Sequence, residues 1–117
     1  ATNNKINVWG TGEEKRDLLY VGDLIDFIDI ALTQQENPYE LFNVGLGEGI
    51  KIKDLVSKII TYSGKQLEMV HDLSKPTVPT SLFLDCSRAK ELLNWEPKYT
   101  LDEGIKKTLT WYKANIK

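Results

Sequence analysis

The stretch Arg16-Asp17-Leu18-Leu19-Tyr20-Val21-Gly22-Asp23-Leu24-Ile25-Asp26-Phe27 decides the fold, because its hydrophobic pattern changes partway along. The run Arg16–Val21 is strand-like, whereas the apolar residues after Asp23 recur at helical spacing. We therefore predict a helix over Asp23–Gln34 with Asp23 as its N-cap. The predicted buried face of this helix comprises Leu24, Phe27, Ile28, Ala31 and Leu32. A strand leading into an amphipathic helix is typical of the α/β class.

The same patterns place the other elements around this stretch. Ile6–Trp9 reads as a strand that pairs with Arg16–Val21 in a hairpin around Gly10–Lys15. The other predicted strands are Glu40–Gly45, Leu67–Val70 and Leu82–Leu84. The other predicted helices are Ile52–Ser63, stopped by Gly64, a brief one within Asp85–Asn94, and one that starts at the capping box Thr100–Glu103. The predicted inward residues of the last two helices are Ala89, Leu92, Leu93, Leu101, Ile105, Leu109 and Tyr112, and Trp95 and Trp111 are predicted to be core aromatics.

Composition excludes several classes of protein. A length of 117 residues suggests one domain, residues 1–117. The formal net charge of −2 argues against nucleic acid as a partner, since such binders carry a basic excess. No apolar run is long enough to span a membrane, and the polar start lacks the apolar core of a signal peptide. We expect a cytoplasmic protein.

The residues available for catalysis are few. The single cysteine, Cys86, excludes an internal disulfide and a cysteine metal cluster. The single histidine, His71, is more simply structural or exposed than catalytic, and no Gly-x-Ser-x-Gly elbow supplies a nucleophile. The glycines of Gly45–Gly49 have G-x-G-x-G spacing, which departs from the dinucleotide fingerprint G-x-G-x-x-G. We therefore predict a tight turn there, no metal site and no catalytic residue.

Trp9 and Arg16 flank the first glycine turn and admit two interpretations. In the ordinary one, Trp9 packs under the turn and Arg16 pairs with a carboxylate such as Asp17 or Asp23. In the functional one, the guanidinium of Arg16 binds a phosphate or diphosphate, and Trp9 lies against an apolar face of the same ligand. The residues alone leave both interpretations open and slightly favour the first.

Six short motifs occur in a characteristic order. They are V-W-G-T-G at 8–12, R-D-L-L-Y-V-x-D-L at 16–24, L-F-N-V-G-x-G at 41–47, K-P-x-x-P at 75–79, L-D-x-S-R-A-K-E-L-L-N-W-x-P at 84–97 and T-L-D-E-G-I-K-K-T-L-x-W-Y at 100–112. This series resembles the C-terminal part of the extended short-chain dehydrogenase/reductase family, the NAD(P)-dependent nucleotide-sugar epimerases, dehydratases and reductases. Within that family it is most similar to the GDP-L-fucose synthase-like group.

The resemblance implies a fold and a set of binding residues. The fold would be the C-terminal substrate-binding part of a Rossmann-type enzyme, with about four helices and short strands. Arg16 would contact the diphosphate of a nucleotide sugar, Trp9 and Gly10 would line the substrate pocket, and Lys75 would lie close to the nucleotide. The full enzyme would use NAD or NADP and would oxidise a sugar carbon transiently before epimerisation, dehydration or reduction.

The chain also departs from the family pattern. None of its five tyrosines has a lysine four residues later, so the Tyr-x-x-x-Lys pair that transfers protons in such enzymes is absent from this sequence. The glycine-rich cofactor fingerprint is absent too. Ser81 and Leu82 stand where the fucose-synthase pattern has an Arg-Lys pair. We therefore expect a chain that is catalytically incomplete alone, with the N-terminal Rossmann half absent; the alternative is a free-standing, non-enzymatic module that binds a nucleotide or a protein.

Overall fold

The computed structural model describes residues 4–116, which form four helices and four short strands. In chain order these are β1 Lys5–Trp9, β2 Lys15–Arg16, α1 Val21–Gln34, β3 Ile50–Lys51, α2 Ile52–Ser63, β4 Glu68–Asp72, α3 Ser87–Leu93 and α4 Leu101–Asn115. The predicted α/β class with about four helices and short strands is confirmed.

The strands form two separate pairs. β1 runs parallel to β4, with Lys5 opposite Glu68 and Trp9 opposite Asp72. β2 pairs antiparallel with β3. The predicted hairpin between β1 and the Arg16–Val21 run is therefore wrong, because β1 finds its partner some 60 residues further along and only Lys15 and Arg16 of the second run lie in a ladder. Parallel pairing needs a long connection of this kind.

Two further predicted strands are absent from the described structure. The segments Glu40–Gly45 and Leu82–Leu84 have no regular secondary structure and belong to no ladder; the neighbouring Ser81 makes an isolated bridge to Lys15. Side-chain packing explains the apolar character of the first segment, since the ring of Phe42 meets that of Phe27 edge-on at 5.6 Å. Its hydrophobicity reflects contact with a helix and not burial in a sheet.

Helix α1 begins two residues earlier than predicted, and its N-cap residue, Tyr20, makes no side-chain capping bond. The predicted capping role of Asp23 is wrong, because this fully buried carboxylate accepts hydrogen bonds from the backbone N–H groups of Lys98 (3.0 Å) and Tyr99 (3.1 Å). These bonds turn the Asp23 and Phe27 side of α1 toward the core.

The predicted buried face of α1 is right for Phe27 and Ala31 and wrong for the other three residues. Phe27 is buried, but Leu24, Ile28 and Leu32 are exposed, Leu32 to 83%. The helix carries apolar residues on two opposite sides, and helical periodicity alone cannot tell which side faces the core. The outward apolar stripe consists of Val21, Leu24, Ile25, Ile28 and Leu32.

The core lies between α1 and α3. Phe27, Ala89, Leu93 and Trp95 form its buried cluster, with the ring of Trp95 edge-on to Phe27 at 5.4 Å. Trp95 is 2% exposed, which confirms its prediction as a core aromatic. Leu92, Trp111 and Tyr112 are all more than half exposed, so their predicted burial is wrong. On α3 the neighbouring Leu93 takes the buried position instead of Leu92, whereas the C-terminal turns of α4 that carry Trp111 and Tyr112 are exposed on all sides.

Helices α2 and α4 follow their sequence signals closely. Helix α2 spans Ile52–Ser63 as predicted and ends at Gly64, whose φ of 72° closes the helix in the left-handed region. Helix α4 starts with the predicted capping box, in which Thr100 and Glu103 bond each other's backbone N–H groups. The two helices pack together through Leu55, Ile59, Leu101, Ile105 and Leu109, around an apolar cavity of about 220 Å³.

Candidate functional site

Trp9 ends β1 at a position that leaves its ring available. The side chain is 54% exposed, and the Nζ of Lys75 lies 5.7 Å from the ring centroid. An ammonium at that distance interacts favourably with the negative face of an indole. Two of the predicted site residues, 66 positions apart in the sequence, are thus in contact. The interpretation in which Trp9 packs under the turn is wrong, because more than half of its side chain is exposed.

Gly10 fixes the path of the chain beside Trp9. Its N–H donates to the carbonyl of Asp72 at 2.9 Å, its carbonyl lies 2.9 Å from Nδ1 of His71, and its φ is 78°. A Cβ at this position would lie 2.5 Å from Cγ2 of Thr77. Glycine is therefore required both by the backbone conformation and by the close approach of the loop that carries Thr77.

Arg16 binds that same loop from the other side. Its Nη1 donates to the carbonyls of Lys15 (2.8 Å) and Thr80 (2.6 Å), and its Nη2 donates to the carbonyl of Val78 (2.8 Å). The expected ion pair with Asp17 or Asp23 is wrong, because both carboxylates accept from backbone N–H groups instead. Within residues 4–116, Arg16 has no carboxylate partner.

A cleft of about 390 Å³ opens between β1, α2 and this loop. Trp9 and Arg16 both line it; Glu14 and Asn7 add further polar groups, while Pro76 belongs to the loop side. Lys75 is not among the lining residues and reaches the site through its contact with Trp9. An aromatic face, a guanidinium and a nearby ammonium are a combination suited to a ring that carries an anionic group.

The two lysines near the cleft on the α2 side share one carboxylate, which offsets one of their two positive charges. Lys51 and Lys53 both bind the carboxylate of Glu13, and these bonds lower its pKa to about 2. The Glu13 carboxylate is therefore ionised at any physiological pH. In the part of the chain that the structure describes, Arg16 is the cation that lines the cleft, and neither Arg16 nor the nearby Lys75 pairs with a carboxylate.

The glycine-rich turn at residues 45–47 holds one of the chain's own carboxylates. Asp17 accepts from the N–H groups of Leu46 (2.7 Å), Gly47 (2.9 Å) and Leu84 (3.1 Å). A Cβ on Gly45 would lie 2.8 Å from an Asp17 carboxylate oxygen. The chain bends at Gly45 and again at Gly47 and Glu48, and since the N–H groups of Leu46 and Gly47 are occupied, this segment does not fit a cofactor phosphate. Sequence reasoning missed Asp17, because a carboxylate that bonds distant backbone N–H groups leaves no local pattern.

Cys86 and His71 both contact backbone carbonyls. Burial raises the pKa of the Cys86 thiol, which lies 3.6 Å from the carbonyl of Gly45. His71 lies on β4 and contacts a backbone carbonyl. The described residues contain no group of His, Cys, Asp or Glu that could hold a metal ion. No described helix is long and apolar enough to cross a membrane.

Comparison with known proteins places this geometry in a family. The family model for GDP-mannose 4,6 dehydratase matches residues 1–108. The protein named "Probable GDP-L-fucose synthase 1" from Oryza sativa subsp. japonica is 37% identical over 112 residues, which cover 96% of this chain and 34% of that protein. This chain therefore spans about a third of the length of such relatives.

Solved structures agree with the sequence comparison. UDP-glucose 4-epimerase from Thermotoga maritima, solved with UDP-glucose, has a TM-score of 0.87 and 30% identity, covering 97% of this chain and 36% of that one. dTDP-glucose 4,6-dehydratase from Bacillus anthracis, solved with NAD, has a TM-score of 0.78 and 31% identity, covering 95% and 35%. The chain belongs to the GDP-mannose 4,6-dehydratase family, within the extended short-chain dehydrogenases/reductases that epimerise, dehydrate or reduce nucleotide sugars.

Proposed function

We propose that this chain binds the nucleotide diphosphate of a sugar substrate, as the C-terminal substrate-binding part of an NAD(P)-dependent nucleotide-sugar epimerase, dehydratase or reductase. The observation that carries the proposal is the convergence of Trp9 and Arg16 on one cleft, although seven positions and a glycine turn separate them. Family membership supports the substrate class. The position of Trp9 and Arg16 in the cleft supports them as the residues that bind the substrate.

Each of the four binding residues has a distinct role in the proposal. Arg16 supplies planar N–H donors for the diphosphate, whose geometry a guanidinium fits. Trp9 offers an exposed aromatic face to the sugar or the base. Gly10 allows the loop to close over the pocket, and Lys75 adds a positive charge next to Trp9.

Positioning is the contribution we assign to this chain. Binding the diphosphate at Arg16 fixes the sugar at a set distance from the guanidinium, which lowers the entropic cost of bringing it to a reactive group. NAD or NADP would supply the hydride transfer. The glycine turn that could have resembled a cofactor site holds Asp17, so we assign the cofactor to the part of the enzyme that this chain does not span. The same applies to the acid–base group, and we expect no turnover by this chain alone.

Ligand-observed NMR of this chain with UDP-, GDP-, dTDP- and CDP-sugars tests the proposal. We expect saturation transfer to one nucleotide sugar, strongest at the protons nearest the diphosphate, and its loss in Arg16→Ala. Arg88→Ala is the matched control, since Arg88 lies on α3 and pairs with Glu40. Transfer that survives Arg16→Ala would contradict the assigned site, and detectable turnover with NAD(P)H would contradict catalytic incompleteness. A non-enzymatic module would bind in the same way but would show no turnover in any longer form.

A further inference from the structure

The segment Lys75–Ser81, called the strap below, forms one wall of the cleft and is held mainly by Arg16. Two carbonyls of the strap, those of Val78 and Thr80, accept hydrogen bonds from one guanidinium. At its far end the strap meets β2, where Leu82 N–H donates to the carbonyl of Lys15 at 3.1 Å. The same Lys15 carbonyl also accepts from Arg16.

The composition of the strap explains why it needs such an anchor. Pro76 and Pro79 have no N–H, so the strap cannot form a regular ladder with β1 or β2. All seven of its residues are exposed, and it buries little apolar surface of its own. A segment of this kind opens easily unless polar contacts hold it. The two bonds from Arg16 are the hydrogen bonds that join its middle to the rest of the described structure, while Thr77 adds a packing contact with Gly10.

The contacts of Arg16 leave one edge of its guanidinium open. Both N–H groups of Nη1 and one of Nη2 are engaged, so three of five donors are used. The donors without a partner among residues 4–116 are the Nε–H and one Nη2–H. With the Nη2–H that faces Nη1 bound to Val78, these two lie on the same edge and form the fork that binds two oxygens of a phosphate at once.

We propose that Arg16 latches the strap against the cleft with one edge of its guanidinium and binds the ligand's diphosphate with the other. The second half rests on the proposed function. Because the strap already holds the side chain in one orientation, the free edge is prearranged for an anion. Since coupling between two binding events is reciprocal, a bound diphosphate in turn keeps the strap closed.

Hydrogen exchange of the apo chain tests the latch without any ligand. The reporter is the Leu82 amide, whose bond to Lys15 closes the end of the strap. We expect Arg16→Lys, which keeps the charge but loses the fork, to speed exchange at Leu82 and Thr80 by roughly ten- to hundredfold, as loss of hydrogen bonds to a charged group would. The amides of α2 and α4 should be unchanged. Arg88→Lys is the control and should leave the strap unaffected.

A second variant keeps the latch testable if Arg16→Lys fails to fold. One glycine inserted between Val78 and Pro79 moves the two carbonyls out of register and leaves Arg16 intact. It should speed exchange at Leu82 in the same way. Unchanged exchange at Leu82 in either folded variant would overturn the latch.

Addition of UDP or GDP to the unmodified chain tests the coupling. The proposal predicts slower exchange at Leu82 and Thr80 when the nucleotide binds. Binding with faster exchange would mean that the ligand displaces the strap, which overturns the two-edge proposal. If neither nucleotide binds, dTDP and CDP are added in turn. If none of the four binds, the proposed function and the coupling that rests on it both fail, while the latch is still decided by the apo measurement.

Discussion

Asp17 accepts a hydrogen bond from the N–H of Leu46 at 2.7 Å, so the glycine turn of this chain surrounds an internal carboxylate. The turn superficially resembles a phosphate-binding loop, and its N–H groups do bind an anion. That anion is the side-chain carboxylate of Asp17, the residue next to Arg16. The bond therefore ties the start of the candidate site to the segment that follows α1.

Replacement of Asp17 should weaken the fold. Asp17→Asn keeps one oxygen acceptor but turns an NH₂ group toward N–H donors. We expect the free energy of unfolding to fall by about 1–3 kcal/mol, the cost of unsatisfied polar groups. Urea unfolding followed by circular dichroism measures it. Asp29→Asn, on the exposed side of α1, is the matched control and should stay within about 0.5 kcal/mol; equal effects of the two would contradict this role.

Asp23 should matter more than a surface carboxylate. It is 1% exposed and is the acceptor for the N–H groups of Lys98 and Tyr99. Asp23→Ala leaves both donors without that acceptor, and we expect a loss of about 2–4 kcal/mol. Asp23→Asn retains one acceptor oxygen and should lose less. A cost below about 1 kcal/mol for the alanine variant would show that these bonds do not anchor α1.

Substitutions in the outward apolar stripe of α1 should change the free energy of unfolding of the isolated chain very little. Ile25→Lys with Leu32→Lys alters two exposed side chains, so the stability should move by no more than about 1 kcal/mol. Large exposed apolar patches promote association, so light scattering should show less self-association in the variant. Leu93→Lys, which places a charge in the core, is the contrasting control. Strong destabilisation by the α1 pair would mean that the stripe is buried.

Asp102 should contribute to stability above its titration range and not below it. Hydrogen bonds from Tyr62 and Lys58 hold its pKa below the ordinary value of 3.8. A group whose pKa is lower in the folded state stabilises the fold above the unfolded pKa, and this contribution is lost as the pH falls through the folded value. Stability measured from pH 7 to 2 should therefore fall less steeply in Asp102→Asn. Parallel curves for the two proteins would contradict this.

Local signals explain which parts of the fold could be predicted. The capping box at Thr100 and the glycine stop at Gly64 act within one helical turn, and both helices appear where these signals place them. The partner of β1 lies about 60 residues away and has no local signal. The two apolar sides of α1 are equivalent by periodicity, and the distant N–H groups that bind Asp23 decide between them.

The candidate site was accessible from the sequence only in part. Trp9 and Arg16 could be singled out by residue type and by their position around a glycine turn. Gly10 and Lys75 could be assigned to the site only through the family resemblance. The structure brings all four residues to the loop that contains Lys75, Thr77 and Val78. The partners of Arg16 are backbone carbonyls 62 and 64 residues away. A carbonyl is present at every position, so no sequence pattern could reveal them.

The most direct test of the central claim is the dissociation constant of the preferred nucleotide sugar for the unmodified chain, Arg16→Ala and Arg88→Ala, measured by titration calorimetry at fixed salt. We predict that Arg16→Ala weakens binding by about 1.5–3 kcal/mol, roughly 10- to 150-fold, the range for hydrogen bonds to charged groups. Arg88→Ala should bind like the unmodified chain. Equal affinities of all three proteins would contradict the claim that Arg16 binds the diphosphate.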